Sequence, residues 1–505
     1  MRRHNVIITI DYETWQPIPK GMNIDWHKDM IEGARQLMDC CDSSGAKLTF
    51  MVEVCELFWL DEYAPDYVSA VEENLREIVS RGHDVQLHLH PNWMPETGAR
   101  FGNGKYEWDW NIASCNDYPG DLSQLVLRGK ERLEKIIRTI KPDYVVSAFR
   151  AGAYRVQPFQ RLAKALLAAD IRIDTSVYKG GESKDRGYNF SKCNSYNMPY
   201  YASETDPQNE DTQSMMLEIP LTAYRSNRRW FLDNSEGKRF AKRFCNFSSQ
   251  FFEHEENYFV LMGHSKGNHW LEDIEQQLKV LEAYPGVRFL TLSDAAVEIP
   301  RQMPFQKAQQ SMEEVQSIMR HIYNTIQPKD GAIDGGMSTY LSRREALCGG
   351  YSNVLFNVLQ QYGYNAKRVT LFAKNMPNGR GPEFLDTHEV VEVTFRDKKY
   401  VLDQMTGKIH AHSIKELICN PELADYDNSQ ADIRYKERCY GHYDTSFFYK
   451  RVEKYYKYGA MKAPRFPENL LFQYYRYLSN LFRIKLHLFK CKSYLFRSKL
   501  QYTIK

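Results

Sequence analysis

Nothing in this sequence is built to cross a membrane, and nothing in it is built to be stapled by disulfides. No apolar run approaches the ~20 residues that a spanning helix needs. The first apolar stretch, Val6 to Ile10, follows Met1-Arg-Arg-His-Asn directly. It is too short for a signal-peptide core and lacks a small-residue cleavage site. The ten cysteines include no C-x-x-C pair and no regular framework, and the adjacent Cys40 and Cys41 suit neither zinc-finger nor redox spacing. Reduced thiols in a cytosolic protein are therefore expected. Acidic residues are scarce in one place only. Residues 446–505 hold 14 Lys+Arg and 2 Asp+Glu, against 53 and 62 in the rest of the chain. What is abundant is ordinary: 43% hydrophobic and 26% charged residues describe a soluble globular protein. At 505 residues two or three domains are expected.

Residues 1–305 alternate short β-rich runs with helical ones. The runs 6–11, 47–54, 84–90, 144–149, 171–174, 258–263 and 288–290 have strand composition, and 29–42, 67–80, 121–140, 158–169 and 272–284 have helical spacing. Such alternation predicts a parallel sheet, and seven units predict a barrel whose chemistry gathers at the C-terminal strand ends. The polar residues fall at those ends: Asp11 and Glu13, His88 and His90, Arg150, Asp174, His264.

His88-Leu-His90-Pro carries the sharpest signal. Residues i and i+2 of a strand point the same way, so both imidazoles can reach one metal ion. Two satisfied core histidines would explain the pair equally well, unless a third ligand and a base are supplied. Asp11-Tyr-Glu13 offers both: one carboxylate could complete a His/His/carboxylate site and the other could act as general base. His264, after an apolar run, is a candidate general acid. Arg150 could hold the base ionised by pairing with it.

Taken in order, Thr9-Ile-Asp-Tyr-Glu13, Thr49-Phe-Met51, Gly82-His, His88-x-His90-Pro91, Phe149-Arg-Ala-Gly-Ala-Tyr154, Asp174 and Leu261-Met-Gly-His264 resemble the NodB-homology polysaccharide deacetylases, a carbohydrate esterase family. The resemblance implies an irregular seven-stranded barrel and a divalent metal, usually zinc. It implies hydrolysis of an acetyl group on an amino sugar. On the matching positions, Asp11 would be the base, Glu13, His88 and His90 the metal ligands, and His264 the acid. Arg150 would orient the base, and the backbone near Tyr154 would help hold the oxyanion. The chain departs from the family pattern in three places. Its second carboxylate comes one residue later, its metal motif is His-x-His-Pro rather than His-x-x-x-His-Pro, and Arg-Ala-Gly-Ala-Tyr stands for Arg-x-Pro-Tyr. Similar variants occur in a branch associated with lipopolysaccharide and capsule biosynthesis. Residues 180–235 lack periodicity and read as a long insertion over the barrel mouth. With Trp15, Trp93, Trp108 and Trp110 this insertion could stack on sugar rings, and Tyr154, Trp93 and Asp174 are the expected substrate contacts.

From 306 to 445 the pattern changes. After the polar link Gln306–Gln310, residues 313–326 look like an amphipathic helix. A helix then starts at Leu347-Cys-Gly-Gly-Tyr and carries the apolar stripe Val354, Leu355, Val358 and Leu359. Cys348 would sit at its positive end, which favours a thiolate. Residues 387–393 and 399–403 read as neighbouring strands carrying His388 and Asp403. Nucleophile, base and orienter suit acyl transfer through a thioester. These segments, with Gly363-Tyr-Asn-Ala-Lys-Arg-Val369 and Val401-Leu-Asp403, resemble the transglutaminase-like, papain-related superfamily. On the matching positions Cys348 is the nucleophile, His388 the base and Asp403 the orienter of an α+β domain.

The tail, 446–505, interleaves leucines and aromatics with lysine and arginine over 468–505. Such a basic amphipathic segment would lie on an anionic membrane surface, giving a cytoplasmic protein with peripheral membrane contact. No nucleic-acid motif accompanies the charge. The combined expectation is a zinc-dependent deacetylase of a surface glycan or lipopolysaccharide precursor, fused to a thiol acyltransferase or hydrolase. The rival is a sugar-binding, inactive barrel, with the Cys-His-Asp domain as the only enzyme, a peptidase or amidase.

Overall fold

A strand covered on both faces must be apolar along its whole length rather than alternately. The strand over Arg3–Tyr12 meets that condition along its middle, where Val6, Ile7, Ile8 and Ile10 are all fully buried. The computed structural model describes residues 1–15, 24–102, 105–107, 114–232, 237–267, 271–299, 305–329, 335–374, 385–405, 407–424 and 456–458. Within 1–305 the strands of the main sheet are β1 (Arg3–Tyr12), β2 (Leu48–Glu53), β3 (Asp84–Leu89), β4 (Ala148–Ala151), β5 (Ile173–Asp174), β6 (Tyr200–Tyr201), β7 (Leu217–Glu218), β8 (Glu256–His264) and β9 (Val287–Leu290). The helices that cover it are α1 (Gly33–Asp42), α2 (Val54–Tyr63), α3 (Pro65–Ser80), α4 (Leu122–Ile137), α5 (Gln160–Ala168), α6 (Gly237–Phe251) and α7 (Leu271–Ala283).

The sheet runs β6-β7-β5-β4-β3-β2-β1-β8, with β9 also paired to β1. Every pairing is parallel except β6 on β7. It curls into part of a barrel. The chain leaving β7 meets the far edge where the Thr222 N–H donates to the Val260 carbonyl at 3.1 Å and Leu232 to Met262 at 2.7 Å. The expected seven-stranded barrel is thus a nine-stranded curled sheet, without a continuous closing ladder among the described residues. Its two additional strands, β6 and β7, lie inside the stretch expected to be pure insertion. They are two residues long, too short to show alternation in sequence.

Two further differences have local causes. The strand expected over 144–149 begins only at Ala148, because Tyr144 turns inward and its hydroxyl donates to Asp84 at 2.5 Å. Helix α2 was not expected. Its buried residues Val54, Cys55, Leu57, Trp59 and Leu60 occupy more than one face, which erases the amphipathic period.

The following part has helices α8 (Met312–Thr325), α9 (Met337–Arg343) and α10 (Cys348–Gln361). The strands that follow are β10 (Asn365–Lys374), β11 (Leu385–Phe395), β12 (Lys398–Asp403), β13 (Lys408–His410) and β14 (Tyr456–Tyr458), and α10 packs on β10 and β11. This antiparallel sheet has the order β13-β12-β11-β10-β14. Val354, Leu355, Val358 and Leu359 of α10 are fully buried. The apolar core continues from one part into the other. Arg2 lies over the Tyr362 ring at 4.3 Å and donates to its carbonyl at 2.8 Å, and a His4 ring nitrogen meets the Tyr362 hydroxyl at 2.6 Å. The segment read as a polar link is also tied down, the Glu255 N–H donating to the Gln306 carbonyl at 2.9 Å. Residues 468–505, Trp108 and Trp110 lie outside the described residues. No helix among the described residues is long and apolar enough to cross a membrane.

Candidate active site

Register decides which strand-end groups meet. Glu53 at the end of β2 stands opposite His88 of β3, His88 stands opposite Arg150 of β4, and Asp11 of β1 stands opposite His264 of β8. One level of the sheet thus collects carboxylates and imidazoles from neighbouring strands, while Tyr12 points away and donates to Asn74 at 2.9 Å.

Glu13, Glu53, His88 and His90 form one fully buried group whose ligand atoms all lie within 4.8 Å of one another. His88 meets the Arg150 carbonyl through Nδ1 at 2.8 Å. A carbonyl only accepts, so Nδ1 carries the hydrogen there and Nε2 is the nitrogen turned to the cluster. Glu13 has one oxygen held by the Lys266 ammonium at 2.6 Å. Its Oε2 lies 3.0 Å from His90 Nε2 and 3.6 Å from His88 Nε2, without hydrogen-bond geometry. Gly152 makes room for His90, since a Cβ there would stand 2.6 Å from His90 Nδ1 and 2.7 Å from the Leu89 carbonyl oxygen.

The electrostatics point the same way. Burial raises the carboxyl of Glu13, but Lys266 and His90 outweigh it and hold it well below the usual range. For Glu53, burial acts together with repulsion from Glu13 and Glu56 and pushes the carboxyl up to about 8. Burial lowers His88, yet Asp11, Glu13 and Glu53 together lift it to about 9, whereas His90 stays below its ordinary value chiefly through burial. Carboxylates and imidazoles are thus crowded at close range in the buried interior. Buried Glu13 Oε2, Glu53 Oε2 and His88 Nε2 have no hydrogen-bond partner among the described residues. Orphaned buried acceptors are costly, and three in one cluster of nitrogen and carboxylate donors fit a divalent cation.

Asp11 is held differently. Its Oδ1 accepts from Arg150 at 2.7 Å, and Arg150 is fixed in turn by Thr9 Oγ1 at 2.6 Å and the Thr175 carbonyl at 3.2 Å. Burial raises the Asp11 carboxyl, but Arg150, His88 and His264 overcome this and keep it below the usual carboxylate range. Asp11, Glu13 and His264 form a second close group, with half-buried His264 at the outer rim. The turn after β4 is strained: Ala153 and Tyr154 have φ of 52° and 63°. Tyr154 donates to the Met262 sulfur at 2.6 Å and lies under the Arg229 guanidinium, 4.5 Å from the ring centre.

The other expected substrate contacts are less exposed than anticipated. Trp93 is fully buried, its ring 5.6 Å from that of Trp59, so it belongs to the core wall and shows no free face. Asp174 is buried beside Glu218, its register partner, and accepts from Ser176 at 2.6 Å. Burial lifts Asp174 to about 6, and burial with the neighbouring Asp174 carboxyl holds Glu218 well above its ordinary value. Trp15, at 44% exposure, does offer a ring to solvent. Sequence reasoning missed Glu53, Lys266 and Arg229. Glu53 was within reach, because it ends a strand as the other site residues do.

The second constellation lies at the start of α10. His388 Nε2 is 3.0 Å from both oxygens of Asp403, and the Cys348 thiol is near enough to act on the same ring. Burial would lower His388, but Asp403 and Cys348 raise it to about 10. Arg368 pairs with Glu389, Ser352 donates to Glu389 at 2.9 Å, and Arg368 reaches the Gly349 carbonyl at 3.1 Å. These contacts fix the helix start against β10 and β11. The structure therefore brings Cys348, His388 and Asp403 together.

No protein-family model matches this chain, and no curated protein matches it. Among similar solved structures are polysaccharide deacetylases. A protein assigned as one in Mycobacterium smegmatis is 13% identical, with 61% of this chain and 94% of that chain covered and a TM-score of 0.38. Another, from Pseudomonas aeruginosa, is 12% identical over 60% and 93%, with a TM-score of 0.36. A family 4 acetyl xylan esterase from Clostridium thermocellum, solved with a cobalt ion, is 10% identical over 61% and 100%, with a TM-score of 0.26. Likenesses this distant carry no functional weight, and what the site can do follows from its own atoms.

Proposed function

We propose that residues 1–305 form a metal-dependent deacetylase acting on an acetylated amino sugar of a bacterial surface glycan or lipopolysaccharide precursor. The observation that carries this reading is the buried convergence of Glu13, His88 and His90 beside an Arg150-held Asp11. The donor set fits zinc among the borderline divalent ions. When bound, such an ion supplies Lewis-acid polarisation of the acetyl carbonyl and of the attacking water. The remaining work falls to the chain. Asp11, kept ionised, takes a proton from water as its oxygen adds to the carbonyl carbon. The backbone at the Tyr154 turn holds the developing oxyanion. His264 at the rim gives a proton to the sugar nitrogen as the C–N bond breaks, leaving acetate and a free amine. Trp15 offers a stacking face to the sugar.

A separate observation, the assembled Cys348–His388–Asp403 group, supports a thiol acyltransferase or hydrolase in the second part. One coupling of the two is re-acylation, from the Cys348 thioester, of the amine that deacetylation exposes. An unchanged acyl pattern of the glycan in a Cys348→Ala strain rules that coupling out. The primary test is acetate release from N-acetylated amino-sugar oligomers by the chelated protein before and after zinc is added. Zinc-dependent release, lost in Asp11→Asn, is expected. Sugar binding without release at any zinc level leaves the barrel a binding module and the Cys348 group the only enzyme. The basic segment 468–505 is proposed to hold the protein on an anionic membrane face, which vesicle sedimentation with and without that segment tests.

A further inference from the structure

The geometry points to Glu53 as a fourth protein ligand of the barrel's cation, a role that neither the strand-end motifs nor the resemblance assigns. This inference rests on the metal-dependent reading of the barrel. Glu53 is the last residue of β2, stands opposite His88 in the parallel ladder and is fully buried. Its two oxygens have different fates. Oε1 accepts from the backbone N–H groups of Cys55 at 2.7 Å and Glu56 at 3.3 Å, capping the start of α2. Oε2 is buried with no hydrogen-bond partner among the described residues, and the residue shares one close group with Glu13, His88 and His90.

The same construction occurs three times in this cluster. Glu13 has Oε1 tied to Lys266, His88 has Nδ1 tied to the Arg150 carbonyl, and Glu53 has Oε1 tied to the helix start. In each case the other heteroatom is the orphan, buried and without a hydrogen-bond partner among the described residues. Helix capping explains only one Glu53 oxygen, and a shorter Asp, Ser or Thr would cap as well. A second oxygen left orphaned beside two imidazoles is explained by a cation that it ligates. Two carboxylates and two neutral imidazoles balance the charge of one divalent ion of the Mn²⁺–Zn²⁺ series. Asp11, turned to Arg150, is left free for proton transfer.

Cobalt(II) tests this on the full-length protein, because its visible absorption reports ligand number and type. Chelated wild type, Glu53→Gln and His88→Ala are each titrated with Co²⁺, and bound cobalt is counted after gel filtration. Glutamine keeps the capping oxygen but replaces the second oxygen with an amide nitrogen that does not ligate, so the melting temperature serves as a control for folding. Wild type is expected to bind Co²⁺ at the site that His88→Ala destroys. Glu53→Gln is expected to bind it about 10- to 100-fold more weakly, with an altered spectrum. Glu53→Asp, which still caps but is one methylene shorter, is expected to show the same weakening if the glutamine variant folds poorly. Wild-type affinity and spectrum in either folded Glu53 variant overturn the assignment and leave the metal-dependent reading standing. Absence of Co²⁺ binding by wild type overturns both.

Discussion

The two polar constellations of this chain are built on opposite electrostatic plans. At the strand ends of the curled sheet, Asp11, Glu13 and Glu53 crowd two imidazoles, with Arg150 and Lys266 opposing them. Among the described residues, buried polar atoms there are left without hydrogen-bond partners. At the start of α10, one imidazole faces one carboxylate at 3.0 Å and one thiol, so its charge can be balanced within the protein. Under the proposed reading the first site takes its missing positive charge from an added cation, and the second draws its balancing charge from Asp403. Buried charge needs a partner in either case, and the two sites differ in whether the chain itself supplies it.

That contrast breaks first at His88. Replacing it with alanine removes a ligand and its Arg150 tether, and zinc content by elemental analysis should fall from stoichiometric to background, with acetate release lost. Asp11→Asn should separate base from ligand: acetate release falls by about 10²- to 10⁴-fold while zinc content holds. Loss of zinc in that variant would instead place Asp11 among the ligands. At the other site, Cys348→Ala should abolish any thioester-dependent acyl transfer, read by mass of trapped adducts, and leave acetate release within about twofold. A large fall in acetate release would show the two sites to be coupled.

A smaller effect is expected at Gly152. An added Cβ would press on His90 and the Leu89 carbonyl, so Gly152→Ala should cost about 1–3 kcal/mol of stability in denaturant melts and weaken zinc binding. The smallest effect concerns pH. His388 is raised from an ordinary 6.5 to about 10, so its folded form binds its proton more tightly than the unfolded chain does. The resulting stability is fully present below about pH 6.5 and is lost as pH rises through about 10. The stability difference between wild type and Asp403→Asn should therefore shrink over that interval, as followed by melting at fixed ionic strength. A difference that does not change with pH would mean that Asp403 does not hold the proton on His388.

The long apolar runs were legible because strands β1, β2, β3 and β8 are buried on both faces and helices α3, α4 and α7 keep a helical period. The two-residue strands β5, β6 and β7 were only partly legible, since two residues show no period. Helix α2 was hidden by burial around its circumference. Trp93 misled because an aromatic following a metal motif looks the same in sequence whether it lines a cleft or fills a core.

By itself the sequence determined that His88 and His90 come together at one strand end, that Asp11 and Glu13 come together at another, and that Cys348 opens a helix upstream of His388 and Asp403. Spacing along one chain fixes the face on which a side chain emerges, because strand geometry repeats every two residues. Only the tertiary structure decided that Glu13 faces the imidazoles, that Asp11 turns to Arg150, and that Glu53 and Lys266 join the group. Those outcomes depend on the register between strands and on which groups meet across it in a water-poor interior, and neither is encoded in any local spacing.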